Sequence, residues 1–119
     1  MDRRCDVAEG VVVQLAESGE GKMVAVMRNL DNLLEALGPA CPIELVTHGA
    51  GLSAVTSASP VAQEVLGVIS RGVRVDACHN TMRAQGVTRA GLLPGVSVVE
   101  SGLAHLVLRQ RLGWSYVRP

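Results

Sequence analysis

The chain has 119 residues, enough for one domain with a genuine core, and 48% of them are hydrophobic against 18% charged, which excludes intrinsic disorder. Its 11 basic and 11 acidic side chains cancel to a net charge of +0, so it lacks the footprint of a nucleic-acid binder or a polybasic membrane binder. Aromatics are 2%, Trp114 and Tyr116 with no Phe, which argues against platforms that stack bases or sugars.

Residues 1–9 are expected to be a flexible N-terminus and residues 10–119 a single domain. Val11-Val12-Val13-Gln14-Leu15 is a short run rich in β-branched residues and predicts a buried strand. Ser18-Gly19 marks a turn, and apolar residues at Met23, Val26, Met27, Leu30, Leu33, Leu34 and Leu37 recur at spacings of three and four, the signature of an amphipathic helix. Gly38-Pro39 stops it. Ile43-Glu44-Leu45-Val46-Thr47 predicts the second strand, running into the glycine-rich loop His48-Gly49-Ala50-Gly51 and a short helix over 52–56. Ser59-Pro60 opens a helix with Ser as N-cap and Pro at its first position, carrying Val61, Val65, Val68 and Ile69 inward.

Val73-Arg74-Val75-Asp76-Ala77 predicts the third strand, with Cys78 at its C-terminal end and a helical turn over 80–86 closed by Gly86. Residues 96–99 read as a fourth strand, Ser101 caps a last helix with Leu103, Leu106 and Val107 inward, and Trp114-Ser115-Tyr116-Val117 closes the chain as a strand. Strands alternating with helices predict an α/β domain whose mostly parallel sheet is covered on both faces. Ligands of such sheets bind beyond the carboxyl ends of the strands, where His48 and Cys78 both fall.

Apolar stretches such as 11–13 and 23–27 are far shorter than the ~20 residues that span a bilayer, and no apolar run follows the basic N-terminus, so a cytoplasmic protein is expected. The three cysteines, Cys5, Cys41 and Cys78, are an odd number without CxxC spacing. They suit free thiols in a reducing cytosol better than a disulfide framework or a zinc site, and the separated histidines form no metal pair. Neither a cofactor nor a metal is expected. Gly19-Glu20-Gly21-Lys22-Met23 lacks the Ser or Thr of a phosphate loop, Gly49-Ala50-Gly51 is half a dinucleotide fingerprint, and no Gly-x-Ser-x-Gly elbow occurs.

Cys78 is the sharpest chemical candidate. Just before a helical turn, its sulfur meets free backbone N–H groups, which favour thiolate, a nucleophile able to carry sulfur as a persulfide. The bland alternative is a small buried hydrophobe. His48 either polarises something at the same edge or satisfies its own loop. Asn80 and Thr81 either cap the turn or, with Gly49 and Gly51, bind a substrate or anion.

In this order the motifs resemble the DsrE/DsrF-like family of small sulfur-relay proteins. The run Arg28-Asn29-Leu30-Asp31-Asn32-Leu33-Leu34 is similar to its first helix, Val46-Thr47-His48-Gly49-Ala50-Gly51 to its His-Gly-x-Gly loop, and Ala77-Cys78-His79-Asn80-Thr81-Met82 to its cysteine motif. Leu93-Pro94-Gly95-Val96 and Gly113-Trp114-Ser115-Tyr116 fit as well. The resemblance implies a three-layer α/β/α sandwich on a five-stranded, mostly parallel sheet. It also implies a homo-oligomer (trimer or hexamer), sulfur donor and acceptor proteins as partners, and a persulfide on Cys78 with His48 beside it. The alternative function is a non-enzymatic module that binds a small ligand or anion, or an oligomeric interaction module.

Overall fold

A computed structural model describes residues 9–119, so Cys5 and all but the last residue of the expected flexible terminus lie outside the described residues. The chain runs β1 (Val11–Leu15), α1 (Glu20–Leu37), β2 (Ile43–Thr47), a 3-10 helix (Gly49–Ala54), α2 (Ala62–Ser70) and β3 (Arg74–Cys78). It continues through α3 (His79–Gln85), a short 3-10 turn (Arg89–Gly91), β4 (Ser97–Val99), α4 (Gly102–Arg111) and β5 (Ser115–Val117). The five strands form one sheet in the order β4-β3-β2-β1-β5, and every strand pair is parallel.

That order dictates the layers. A crossover between parallel strands is right-handed, so α1, α2 and α3, which carry the chain stepwise from β1 out to β4, fall on one face. The return to β5 crosses the sheet the other way and puts α4 on the opposite face. Burial agrees. Met23 and Leu30 of α1, Val65 and Val68 of α2 and Met82 of α3 pack on Val13, Leu15, Leu45, Val75 and Ala77 in the main core. Beneath α4 the buried apolar cluster among the described residues is Val12, Val46 and Leu106, with Trp114 against them. The result is the three-layer α/β/α sandwich, with unequal layers. Burying one leucine contributes about 1.5–3 kcal/mol, so Leu106 alone holds α4 weakly by comparison with the many apolar residues under α1 and α2.

Three expectations need correction. The helix after Ser59-Pro60 begins two residues later, at Ala62, because the Ser59 hydroxyl is spent on the Val61 N–H (3.0 Å) and its own N–H closes a turn on Thr56 O (2.9 Å). On α4, Leu103 and Val107 do not face inward but are 60% and 45% exposed. The inward stripe is instead Gly102, His105, Leu106 and Arg109, chosen by a close approach at Gly102 and by a buried carboxylate that draws in the two polar residues. Finally, buried Cys41 is disulfide-bonded rather than a free thiol, leaving Cys78 as the free cysteine among the described residues.

Candidate functional site

Cys78 ends β3 in extended backbone, and α3 starts at the next residue. Its side chain points to the α4 face, where the residue is only 4% exposed. Sulfur receives the N–H of Gly102, the first residue of α4, at 3.2 Å. Burial pushes the thiol pKa up, yet the Gly102 N–H, the Thr81 hydroxyl and the N–H groups of Thr81 and Asn80 outweigh it, so the value lies below that of an ordinary cysteine. The Thr81 oxygen also accepts the Gly49 N–H at 3.0 Å, which leaves its own hydrogen to point at sulfur. Gln85 Nε2 donates to Gly49 O at 3.0 Å, so both polar groups of Gly49 are tied to α3.

The loop carrying His48 is fixed just as firmly. Gly49 takes φ +56°, a conformation that favours glycine. A Cβ on Gly51 would lie 2.2 Å from Leu15 O, so the turn fits against the end of β1 only without a side chain. Gly102 closes the arrangement. A Cβ there would meet the Cβ of His48 at 3.2 Å and the Cβ of Cys78 at 3.3 Å. The two expected site residues therefore stand on either side of the same glycine.

His48 is half-buried, and burial, then the Arg118 charge, lower its pKa, so the ring is neutral at pH 7. Its Nε2 lies 2.8 Å from Gln14 Nε2, and Gln14 Oε1 accepts from the Tyr116 hydroxyl. With its oxygen engaged by a donor, Gln14 presents its amide N–H to the ring. Nε2 is then the acceptor and the ring proton sits on Nδ1.

Deeper under α4 lies a second polar cluster. Glu44 is 1% and Asp76 0% exposed. Glu44 Oε2 meets His105 Nε2 at 2.8 Å and Arg74 Nε at 3.2 Å, and its Oε1 accepts from Arg109 Nε at 2.7 Å. Arg74 Nε also donates to Asp76 Oδ1 at 2.8 Å. Asp76 Oδ2 is buried without a hydrogen-bond partner, and burial, then Glu44, push its pKa up to about 8. A proton on Oδ2 turns the two carboxyls into a donor–acceptor pair and accounts for that atom. Glu44, Asp76 and His105 have the donor types of a metal site. The Glu44 oxygens, however, are already taken by two guanidinium groups, whose charge opposes a cation.

No family model and no curated protein matches the chain. Among solved structures it is similar to MTH1491 from Methanobacterium thermoautotrophicum, a protein of unknown function. The two are 37% identical with a TM-score of 0.89, covering 93% of this chain and 99% of that one. The chain belongs to the MTH1491 family. Two further proteins share the fold of the MTH1491 family at lower identity. BT1422 from Bacteroides thetaiotaomicron is 18% identical with a TM-score of 0.72, over 93% of this chain and 95% of that one. The ychN protein of E. coli is 15% identical with a TM-score of 0.68, over 92% and 99%.

In this member of the MTH1491 family the expected site residues converge, with unequal parts. Cys78, His48, Gly49, Asn80 and Thr81 lie at one edge, and Thr81 joins the cysteine to the glycine loop. Asn80 enters through its N–H, which also bonds Glu100 O at 3.3 Å, and Gly51 only lets the loop pack. Sequence reasoning missed Gly102, the Gln14–Tyr116 pair and the Glu44–Asp76 cluster. A signal existed: Gln14, Glu44 and Asp76 are isolated polar residues in apolar strands and, by the two-residue alternation of strands, share the face of Val12 and Val46. A groove of about 530 Å³ lined by Asp31, Leu34, Glu35, Pro39 and Arg71 contains none of these residues.

Proposed function

We propose that this member of the MTH1491 family is a DsrE/DsrF-like sulfur carrier that works through a persulfide on Cys78. The observation that carries the reading is the Gly102 N–H on sulfur at 3.2 Å, backed by Thr81 and Asn80, which favours thiolate despite burial. The sharing of fold with YchN, a protein of the DsrE-like fold, supports it.

The chemistry is an exchange between sulfurs. The Cys78 thiolate attacks the outer sulfur of a donor persulfide, a new S–S bond forms as the donor's breaks, and the donor leaves as thiolate. An acceptor thiolate then removes that sulfur from Cys78 in the same way. Each step is balanced without an outside oxidant. The N–H groups on Cys78 sulfur favour its thiolate both as the attacking group in the first step and as the leaving group in the second, and neutral His48 carries its Nδ1 proton at the same edge. A cytoplasmic location belongs to this proposal, since a carrier needs its thiol reduced; the Cys41 disulfide is of a kind rare in such a compartment. Among the described residues no helix is long and apolar enough to cross a membrane.

Mass spectrometry after incubation with polysulfide tests the reading. A gain of about 32 Da, one sulfur atom, is expected and should vanish in Cys78→Ser. An unmodified Cys78 in folded protein overturns it.

The 4% exposure of Cys78 favours a second reading, a module that binds a ligand or a partner without sulfur chemistry. Under either reading a homo-oligomer is part of the proposal. Leu103 and Leu108 of α4 and Leu112 just after it are 55–60% exposed, and β5 is an exposed edge strand. Light scattering of wild type and Leu108→Lys checks it: a larger particle that dissociates in the variant is expected, and a monomeric wild type refutes it.

A further inference from the structure

The donor that reaches Cys78 sits on α4, which buries only Gly102 and Leu106, so what fixes that helix fixes the thiol. The apolar contact of α4 is Leu106 on Val12 and Val46, with Trp114 packed against them. Glu44 adds a polar grip, taking His105 Nε2 at 2.8 Å and Arg109 Nε at 2.7 Å, while the Arg109 guanidinium lies over the Trp114 ring, 4.5 Å from its centroid. His105 and Arg109 lie one and two turns along α4 from Gly102, on the same side of the helix. Glu44 is itself held rigidly, fully buried in β2 with Arg74 and Asp76 beside it on β3.

We propose that Glu44 is a positioning residue for Cys78: by clamping His105 and Arg109 it seats α4 so that the Gly102 N–H stays on sulfur. The tight fit at Gly102, with 3.2–3.3 Å from its would-be Cβ to His48 and Cys78, sets how far the helix approaches, and Glu44 sets that it remains there. The charged and titratable groups that face Glu44 are Arg74, Asp76, His105 and Arg109, and no direct contact joins it to Cys78. The inference rests on the reading of Cys78 as a working thiolate. Its test uses no sulfur donor, so the two can fail separately.

The experiment is a pH titration of thiolate absorbance near 240 nm, with Cys78→Ser as blank and circular dichroism to confirm folding. In Glu44→Gln the Cys78 pKa should rise by about one unit, a tenfold loss of thiolate at a fixed pH below both values. Arg109→Gln should shift it the same way and Arg109→Lys should largely restore it, whereas Leu103→Ala, on the exposed side of α4, should leave it unchanged. If Glu44→Gln does not fold, Arg109→Gln and His105→Gln, at less buried positions, give the same readout. A wild-type pKa below the ordinary range that stays put in the folded variants overturns the clamp. An ordinary wild-type pKa overturns both the clamp and the thiolate reading. A shifted pKa without sulfur uptake keeps the clamp and removes the sulfur carrier.

Discussion

The amide of Gly102 donates to Cys78 sulfur at 3.2 Å, and a methyl group at Gly102 would stand 3.3 Å from the Cys78 Cβ. Residues 24 apart in the chain are thus joined by a hydrogen bond at a glycine where a side chain would be tightly crowded.

Gly102→Ala should therefore act on stability and on the thiol together. The added carbon has His48, Cys78 and Val46 around it at 3.2–3.3 Å, so α4 must lift or the neighbours must shift. Overpacking of this kind costs about 1–3 kcal/mol. Urea denaturation should show the loss, and the Cys78 pKa should rise as the N–H moves off sulfur. A variant as stable as wild type with an unshifted thiol would contradict the packing described.

Thr81→Val removes two bonds at nearly constant volume. Cys78 loses a hydroxyl donor and the Gly49 N–H loses its acceptor. The Gly49 N–H is part-buried, so losing its acceptor costs about 1 kcal/mol. The measurable outcome is lower stability with a slower reaction of Cys78 toward iodoacetamide at pH 7.

Asp76 and Glu44 pull stability in opposite directions with pH. Burial and Glu44 raise the Asp76 pKa to about 8, so between the ordinary carboxyl range and that value the native state holds a proton the unfolded chain has lost. Stability then falls as pH rises across that window, by at most about 1.4 kcal/mol per pH unit, and levels off above it. Glu44 is lowered: burial raises it, but Asp76, Arg109 and His105 prevail, so its contribution is present above the ordinary glutamate value and lost in acid. Asp76→Asn, neutral at every pH, should remove the decline between the ordinary carboxyl range and about pH 8 and keep the loss in acid. Thermal melts of both proteins from pH 4 to 9 decide it.

Gln14→Leu should change His48 without moving it far. Without the amide donor, Nε2 loses the bond that makes it the acceptor, and the Tyr116 hydroxyl loses its partner. Nitrogen chemical shifts of the His48 ring should move from one neutral tautomer toward a mixture, with about 1–2 kcal/mol lost in stability. Tyr116→Phe should give a smaller shift of the same sign.

Much of the fold was legible in the sequence because β1 and β2 are dense apolar runs and α1 repeats apolar residues at three and four. Met23, Val26, Met27 and Leu30 are all buried in that pattern. Residues of α4 defeated the same rule, since Leu103 and Val107 fit a helical stripe as well as Gly102 and Leu106 do. Only the tertiary facts decide between them: which glycine touches a strand end, and which carboxylate waits below. Cys78 and His48 could be placed because strand ends are visible as boundaries. Gln14 and Tyr116 could not, because their meeting depends on β5 returning beside β1. The disulfide at Cys41 was missed because an odd cysteine count carries no information on which pair is near in space.

The unequal layers have a consequence for how a nearly sealed sulfur meets a reagent. Lifting α4 would uncover one face of the sheet without dismantling the core that α1, α2 and α3 share, so it demands less free energy than complete unfolding. Amide protons of α4 should exchange with solvent sooner than those of α1, and Cys78 alkylation should follow the same breathing rate.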